Sequence, residues 1–175
     1  MWRRSVLDRH HGWDEGWPIN QDSELAARFQ LAGERIVSLP QLGARYTPRD
    51  SVRRLGRQYF RYGMYRAKTS LRHPHAVRPL HLAMPALVVA AIAALAGPWP
   101  LRLPARALLA GYGTVVAAES ARAGSGRARD AAGLSVVFVV MHATWGAGFL
   151  VGLVRFARRS TRHAQMAEDL AADRV

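Results

Sequence analysis

Hydrophobic and polar residues divide the chain into a polar front third and a mostly apolar remainder. No formally charged side chain occurs in residues 79–101 or in residues 131–154. Because about 20 apolar residues are needed to cross the hydrocarbon core of a bilayer, these stretches predict transmembrane helices over residues 80–97 and 133–154. A shorter apolar stretch over residues 104–120 predicts either a third span or a re-entrant hairpin. Two to three membrane helices are therefore expected.

A basic amphipathic helix is predicted ahead of these spans, over residues 52–70. Its apolar positions recur at spacings of three and four: Val52, Leu55, Tyr59, Tyr62 and Tyr65. The opposite face carries basic residues: Arg53, Arg54, Arg57 and Lys68. Asp50 or Ser51 can cap its start, and such a helix typically lies in the headgroup layer of a membrane. Residues 51–78 thus predict an interface helix, followed by a transmembrane region at 79–155 and a polar tail at 156–175.

The front of the chain predicts short elements. Residues 1–20 follow neither a helical nor a strand period, and predict a loop with a short apolar anchor at Val6 and Leu7. Two short strands are predicted over residues 35–39 and 44–47, each followed by a proline.

A helix is predicted between these segments, over residues 21–32. Asp22 or Ser23 is expected to cap it, because a short polar side chain can accept a hydrogen bond from the first free backbone N–H groups. Gly33 is expected to end it.

The charge of the chain limits its partners. The formal net charge is +13, and all but one of the 25 Lys and Arg residues are arginines. This implies a phosphate-rich partner, and charge alone leaves open anionic lipid, a lipid-linked diphosphate, a nucleotide or nucleic acid. Nucleic acid is disfavoured, because charge-free spans occupy much of the chain and no nucleic-acid-binding motif appears. The sequence therefore predicts membrane lipid as a partner and no nucleic acid.

The absence of cysteine and the character of the N-terminus bear on the cellular compartment of the chain. The absence of cysteine excludes disulfides, thiolate metal sites and a cysteine nucleophile. The first residues lack the apolar core region of a signal peptide, and the basic front third favours the cytoplasmic side. We expect a multi-pass protein of the cytoplasmic (inner) membrane with a cytoplasmic front third, and leave the side of the C-terminal tail open.

One cluster in the basic helix has the chemistry of a binding site. Gln58, Arg61 and Tyr62 stand at i, i+3 and i+4, so they share one face of a helix. An amide, a guanidinium and a phenol can bind a sugar hydroxyl, a diphosphate and a sugar ring respectively. The alternative is an ordinary amphipathic helix whose tyrosines pack and whose arginines meet lipid phosphates.

Two features of the last span predict helix contacts. His142 is costly in lipid unless it is paired, and a hydrogen bond with Ser135, Thr144 or Glu119 is expected. The glycines Gly146, Gly148 and Gly152 predict close approach of another helix.

Several motifs in order resemble the acceptor half of family 2 glycosyltransferases. The segments are Gly12-Trp13-Asp14-Glu15, Gln21-Asp22-Ser23-Glu24-Leu25 and Gln58-Tyr59-Phe60-Arg61-Tyr62. They are similar to the family's G-G-F-D-E, E-D-x-E-L and Q-x-x-R-W motifs, with Tyr in place of the last Trp. Together with Met141-His142 and Trp145-Gly-Ala-Gly, they resemble the ExoA-like branch of succinoglycan and exopolysaccharide biosynthesis.

The resemblance implies roles for particular residues. Asp22 corresponds to the general base that removes the proton of the acceptor hydroxyl during inverting transfer. The alternative is a helix cap, a role compatible with that of the base. Gln58, Arg61 and Tyr62 would hold the acceptor or the departing diphosphate. Residues of a possible acceptor groove are Trp13, Trp17 and Glu24, with local packing of the two tryptophans as the alternative.

The resemblance also implies parts that these residues do not supply. The family binds its nucleotide-sugar donor, with Mg²⁺ or Mn²⁺ at an Asp-x-Asp motif, on an N-terminal α/β half; this sequence contains no Asp-x-Asp. The expected fold is mainly α: residues 1–50 as an incomplete C-terminal piece of an α/β GT-A domain, then the interface helix and the membrane helices. No metal or cofactor is expected in this chain.

The function expected is that of a fragment of a membrane glycosyltransferase. It would transfer sugar from a nucleotide-sugar donor to a lipid-linked or glycan acceptor, and would be inactive without a donor-binding half. The alternative is a non-enzymatic membrane adaptor whose basic helix binds anionic lipid or a lipid-diphosphate.

Overall fold

The protein is mainly helical in a computed structural model. The structure describes residues 2–37, 39, 41, 43, 50–124 and 127–172, with no side chains described in 158–172. The helices are α1 (Arg4–Arg9), α2 (Gln21–Leu31), α3 (Val52–Arg72), α4 (Leu80–Ala96), α5 (Trp99–Ala123) and α6 (Ala128–Ala172), with a 3₁₀ turn at Pro74–Ala76. No strand occurs among the described residues. The mainly helical prediction is confirmed.

Helix α3 begins as predicted. The Ser51 hydroxyl accepts a hydrogen bond from the Arg54 backbone N–H at 3.3 Å, which satisfies one of the free N–H groups of the first turn. The Asp50 carboxylate instead binds the Arg54 guanidinium, at 2.8 and 3.0 Å. The helix ends at Arg72, two residues beyond the predicted 52–70.

Helix α2 ends as predicted but begins differently. Gly33 lies in the left-handed region at φ +76°, and its N–H donates to the Gln30 carbonyl. The Glu34 N–H donates to the Phe29 carbonyl. These two bonds form a Schellman motif, which ends the helix. The cap prediction of Asp22 or Ser23 was wrong. The residue before the helix is Asn20, in the left-handed region at φ +59°, and its side chain does not cap the helix.

Two other predictions for the front of the chain were wrong. Residues 1–20 are not all loop, since α1 occupies Arg4–Arg9; a helix of 6 residues is too short to show a period. Residues 35–37 and 39 form no strand, because a strand requires a partner to bind its N–H and C=O groups and the described residues supply none. The strand predicted over 44–47 lies outside the described residues.

Helices α3 and α6 pack together over most of the length of α3. Residue numbers increase in the same direction along both helices in the contacting pairs, which are Gly56 with Val140, Phe60 with Gly148, Met64 with Gly152, and Tyr65 with Phe156. The two helices are therefore parallel. A Cβ on Gly63 or Gly148 would overlap a backbone carbonyl of the other helix, so the close helix contact predicted for the glycines of α6 is confirmed. The matching glycine on α3 was not predicted.

The other apolar helices complete a bundle. Helices α4 and α5 form an antiparallel hairpin with Ala90, Ala94 and Ala105 in its core. Across α5 and α6, the Tyr112 hydroxyl and His142 Nδ1 are 3.0 Å apart. The partners predicted for His142 were therefore wrong. The hydroxyls of Ser135 and Thr144 donate to carbonyls of their own helix, as such side chains commonly do.

One helix in the described part of the chain, Ala128–Ala157 of α6, is long and apolar enough to cross a membrane. Helix α4 has 17 residues, or about 25 Å at 1.5 Å per residue, against about 30 Å of hydrocarbon. Helix α5 carries Arg102, Arg106 and Glu119. By length and composition, α6 is therefore the one described helix that meets the requirements of a membrane span; the spans over 80–97, 104–120 and 133–154 remain predictions.

Candidate functional site

Two adjoining hollows lie where the front segment meets α3. The first has a volume of about 540 Å³ and is lined by Ile19, Arg54, Arg57, Gln58, Arg61 and Tyr62. The second has a volume of about 470 Å³ and is lined by Trp13, Pro18, Ile19, Asn20, Gln21, Asp22 and Tyr62. Ile19 and Tyr62 belong to both linings, so the hollows share a boundary. Both volumes fall in the range typical of small-molecule sites.

The predicted cluster on α3 is present. Gln58, Arg61 and Tyr62 line the first hollow together, as their spacing requires. The Gln58 amide donates to the Tyr62 hydroxyl at 2.7 Å, which fixes the phenol one helical turn away. The Tyr59 ring meets the Tyr62 ring edge-on, with centroids 5.8 Å apart. The phenol is therefore held between two neighbours of its own helix.

Asn20 connects α2 to this cluster. Its side-chain amide donates to the Tyr62 carbonyl oxygen at 2.8 Å. The left-handed backbone of Asn20 is tolerated better by Asn than by most residues. Because α2 starts at the next residue, this bond places Asp22, in the first turn, beside Tyr62. The Asp22 side chain is exposed, and its Oδ1 accepts from the Ser23 N–H at 2.9 Å.

Trp17 holds the front loop on α3 and does not line either hollow. It is 4% exposed, and its indole N–H donates to the Thr69 hydroxyl at 3.0 Å. The Lys68 ammonium lies 3.7 Å from the centre of its ring, a cation–π geometry. Of the two tryptophans predicted for an acceptor groove, only Trp13 is in the lining.

A salt bridge and a hydrogen bond also hold the front loop on α3, just ahead of Trp17. Asp14 and Arg72 approach to 2.7 Å, and the Lys68 ammonium donates to the Gly16 carbonyl at 2.6 Å. Burial would raise the pKa of Asp14, but the Gly16 N–H and the Arg72 guanidinium outweigh it and leave the pKa below its ordinary value.

Glu24 also lies away from the hollows. It is fully buried, and both of its oxygens accept from Arg28 Nε at 3.0 Å. His73 Nε2 lies 3.1 Å from one of them, and Arg28 donates further to the carbonyls of His10 and Gly12. Glu24 therefore joins α2, the front loop and the end of α3, and does not occupy the groove position predicted for it.

Arg54 and Arg57 were missed as members of the site. They were predicted only as part of the basic face opposite the apolar positions of α3, yet both line the first hollow. Their spacing gives the signal: residues 54, 57, 58 and 61 stand at i, i+3, i+4 and i+7, one face of a helix. Within the described residues, Arg57 and Arg61 pair with no carboxylate. The first hollow is therefore strongly positive.

The divalent metal implied by the resemblance has no evident site among the described residues. In the described part of the chain, no group of three or more His, Asp or Glu residues is arranged to hold a metal ion. These residues thus do not fit the metal, and the chemistry proposed for them uses none.

Comparison with known proteins gives one informative match. No protein-family model and no solved structure matches the chain. The succinoglycan biosynthesis protein ExoA of Rhizobium meliloti (strain 1021) is 34% identical over 156 residues, which are 85% of this chain and 44% of that protein. The chain is similar to ExoA. It spans less than half of the length of that relative, and the similarity supports a relationship to a glycosyltransferase-like family of exopolysaccharide synthesis.

Proposed function

We propose that this chain carries the acceptor side of an inverting glycosyltransferase of exopolysaccharide synthesis at the cytoplasmic face of the membrane. The observation that carries the proposal is the shared boundary of the two hollows. One presents the Asp22 carboxylate, the other presents Gln58 and Arg61, and Tyr62 separates them. The similarity to a succinoglycan biosynthesis protein supports the substrate class.

In the proposed reaction, an acceptor hydroxyl enters the Asp22 hollow. Its oxygen attacks the anomeric carbon of the donor sugar while the Asp22 carboxylate takes the proton. The bond between that carbon and the diphosphate oxygen breaks, and the electron pair leaves with the diphosphate. Arg61 stabilises the developing negative charge, while Gln58 and Tyr62 orient the sugar. Loss of the Asp22 carboxylate would lower the rate of sugar transfer by about 10²–10⁴-fold.

We further propose that the donor sugar and its Mg²⁺ or Mn²⁺ are bound by a GT-A type α/β part supplied from outside these 175 residues. The acceptor would be a lipid-linked or glycan chain. On this proposal, the isolated chain does not turn over a nucleotide sugar. Turnover of a UDP-sugar by the purified chain alone would contradict it.

A chimera tests the proposed function. The segment of ExoA that matches this chain is replaced by these residues in cells that lack ExoA, and succinoglycan is measured. Asp22→Asn and Arg61→Lys should each abolish the production supported by the parent chimera. The matched controls Asp8→Asn and Arg53→Lys change exposed residues that line neither hollow, and should preserve it. Production by the Asp22→Asn chimera at the parental level would refute the role of Asp22.

A second candidate function is favoured by the unpaired arginines of the first hollow. A non-enzymatic adaptor that binds anionic lipid through Arg57 and Arg61 requires their charge but not their identity. For an adaptor, Arg61→Lys would be tolerated and Asp22→Asn would be silent, so the same chimeras distinguish the two functions.

A further inference from the structure

A second basic cluster lies where α3 meets the start of α4, formed by Arg66, Arg78 and His81. It lines neither hollow. Arg66 Nη2 is 2.7 Å from His81 Nε2, and the Arg78 backbone N–H is 3.0 Å from His81 Nδ1. The cluster therefore places a nitrogen donor against each nitrogen of one imidazole.

These contacts leave one donor without an acceptor. A neutral imidazole accepts through only one ring nitrogen, because the other carries a proton. If Nδ1 accepts from Arg78, the Nε2 proton faces the Arg66 guanidinium; in the other tautomer, the Nδ1 proton faces the Arg78 N–H. Protonation of His81 would make both contacts donor against donor. The cluster has a surplus of donors in every state of the ring.

The charge of the cluster is also poorly balanced. Arg66 is half-buried, and neither it nor the exposed Arg78 side chain forms an ion pair within the described residues. Burial, followed by the charge of Arg78, lowers the pKa of Arg66, and the charge of Asp22 opposes this effect. The Asp22 carboxylate therefore acts on Arg66 through its charge, and no ion pair joins the two side chains within the described residues.

The cluster lies beside a helix N-terminus and exposed apolar side chains. Helix α4 starts at Leu80, and the N-terminal end of a helix favours anions. Leu80 is 75% exposed and Leu82 is 50% exposed, so exposed apolar side chains adjoin the basic groups.

We propose that Arg66, Arg78 and His81 form a phosphate-binding site, separate from the two hollows. Phosphate oxygens would accept from the two guanidiniums and from an imidazole N–H, and so supply the acceptors that the cluster lacks. The phosphate belongs either to a lipid headgroup or to a soluble phosphate compound. The site does not depend on the proposed transferase reaction.

The test follows the His81 ring in the full chain by NMR, with the signal assigned through His81→Gln. In zwitterionic micelles, inorganic phosphate should raise the titration midpoint of His81 by about one pH unit, because an anion favours the imidazolium. Arg66→Gln and Arg78→Gln should each weaken phosphate binding by about tenfold, the loss of one charged hydrogen bond. Arg53→Gln removes the same charge from an exposed position of α3 outside the cluster, and should leave binding unchanged.

Nanodiscs distinguish the two sources of phosphate. A rise of the His81 midpoint in phosphatidylglycerol discs without added phosphate, and not in phosphatidylcholine discs, identifies a headgroup site. A rise only with inorganic phosphate identifies a soluble ligand. The proposal is overturned if neither raises the midpoint, or if Arg53→Gln weakens binding as much as Arg78→Gln. The Arg78 side chain is exposed, so Arg78→Gln should not disturb the fold. This variant therefore tests the proposal even if Arg66→Gln unfolds the chain.

Discussion

The parallel contact between α3 and α6 predicts a large penalty for one added methyl group. In Gly148→Ala, the new Cβ would overlap the Phe60 carbonyl oxygen and lie 2.8 Å from its carbon and 3.0 Å from Phe60 Cα. These obstacles are backbone atoms, so no side chain can rotate away and α3 must move as a unit. Overpacking of this kind costs about 1–3 kcal/mol, and we expect the upper end of the range.

A matched control comes from the same helix. No atom of the described residues lies within 4 Å of a Cβ on Gly133, so Gly133→Ala should gain up to about 1 kcal/mol from helix propensity alone. Gly148→Ala has the same propensity gain, which offsets part of its penalty and leaves a net loss of about 2 kcal/mol. The two variants should therefore differ by about 3 kcal/mol in the free energy of unfolding.

Equilibrium unfolding in detergent, followed by circular dichroism, measures this difference. Displacement of α3 would also move Gln58 and Tyr62, so the Gly148→Ala chimera with ExoA should make less succinoglycan than the Gly133→Ala chimera. Equal stability of the two variants would refute the close parallel packing of α3 on α6.

Two further predictions concern the contacts that hold the front segment on α3. Glu24→Gln removes the charge that compensates Arg28 inside the protein, and should cost about 3–5 kcal/mol of unfolding free energy. Asp14→Asn removes a partly exposed bridge to Arg72 and should cost about 0.5–1 kcal/mol at neutral pH. The pKa of Asp14 is lower in the folded protein than its ordinary value of 3.8. The ionised carboxylate therefore stabilises the fold fully above pH 3.8, and this stabilisation is lost as the pH falls through the folded pKa. The stabilities of the wild type and the Asp14→Asn variant should thus converge in acid.

The controls for these predictions are exposed acids of the same segment. Glu15→Gln and Asp8→Asn should change stability by less than about 0.5 kcal/mol. A Glu24→Gln variant as stable as Glu15→Gln would contradict the buried ion pair. A difference between Asp14→Asn and the wild type that persists unchanged to acid pH would contradict the lowered pKa.

The local elements of α2 and α3 could be predicted from the sequence because their signals are local. Ser51 supplies a cap and Gly33 a left-handed stop, and the apolar period of α3 spans several turns. The spacing of Gln58, Arg61 and Tyr62 was sufficient to place them on one face. Nothing beyond the geometry of one helix was needed for these predictions.

The spacing of Arg54 and Arg57 held a local signal, but three other features that sequence reasoning missed depend on tertiary neighbours. Asn20 has its role because the Tyr62 carbonyl lies beside it, and Glu24 is buried because Arg28 and His73 surround it. Trp17 had the chemistry of a groove residue, but Thr69 offers its indole a buried partner. No local pattern contains this information.

The claim that Asp22 and the α3 cluster lie on the two sides of the boundary shared by the hollows is tested most directly by cross-linking. The chain has no cysteine, so an Asp22→Cys and Gln58→Cys pair can be joined by a short bifunctional maleimide without background. We predict efficient cross-linking in the folded chain, and little with Asp22→Cys and Arg53→Cys, since Arg53 is on the same helix but lines neither hollow. Equal yields for the two pairs, or none for the first, would contradict the site.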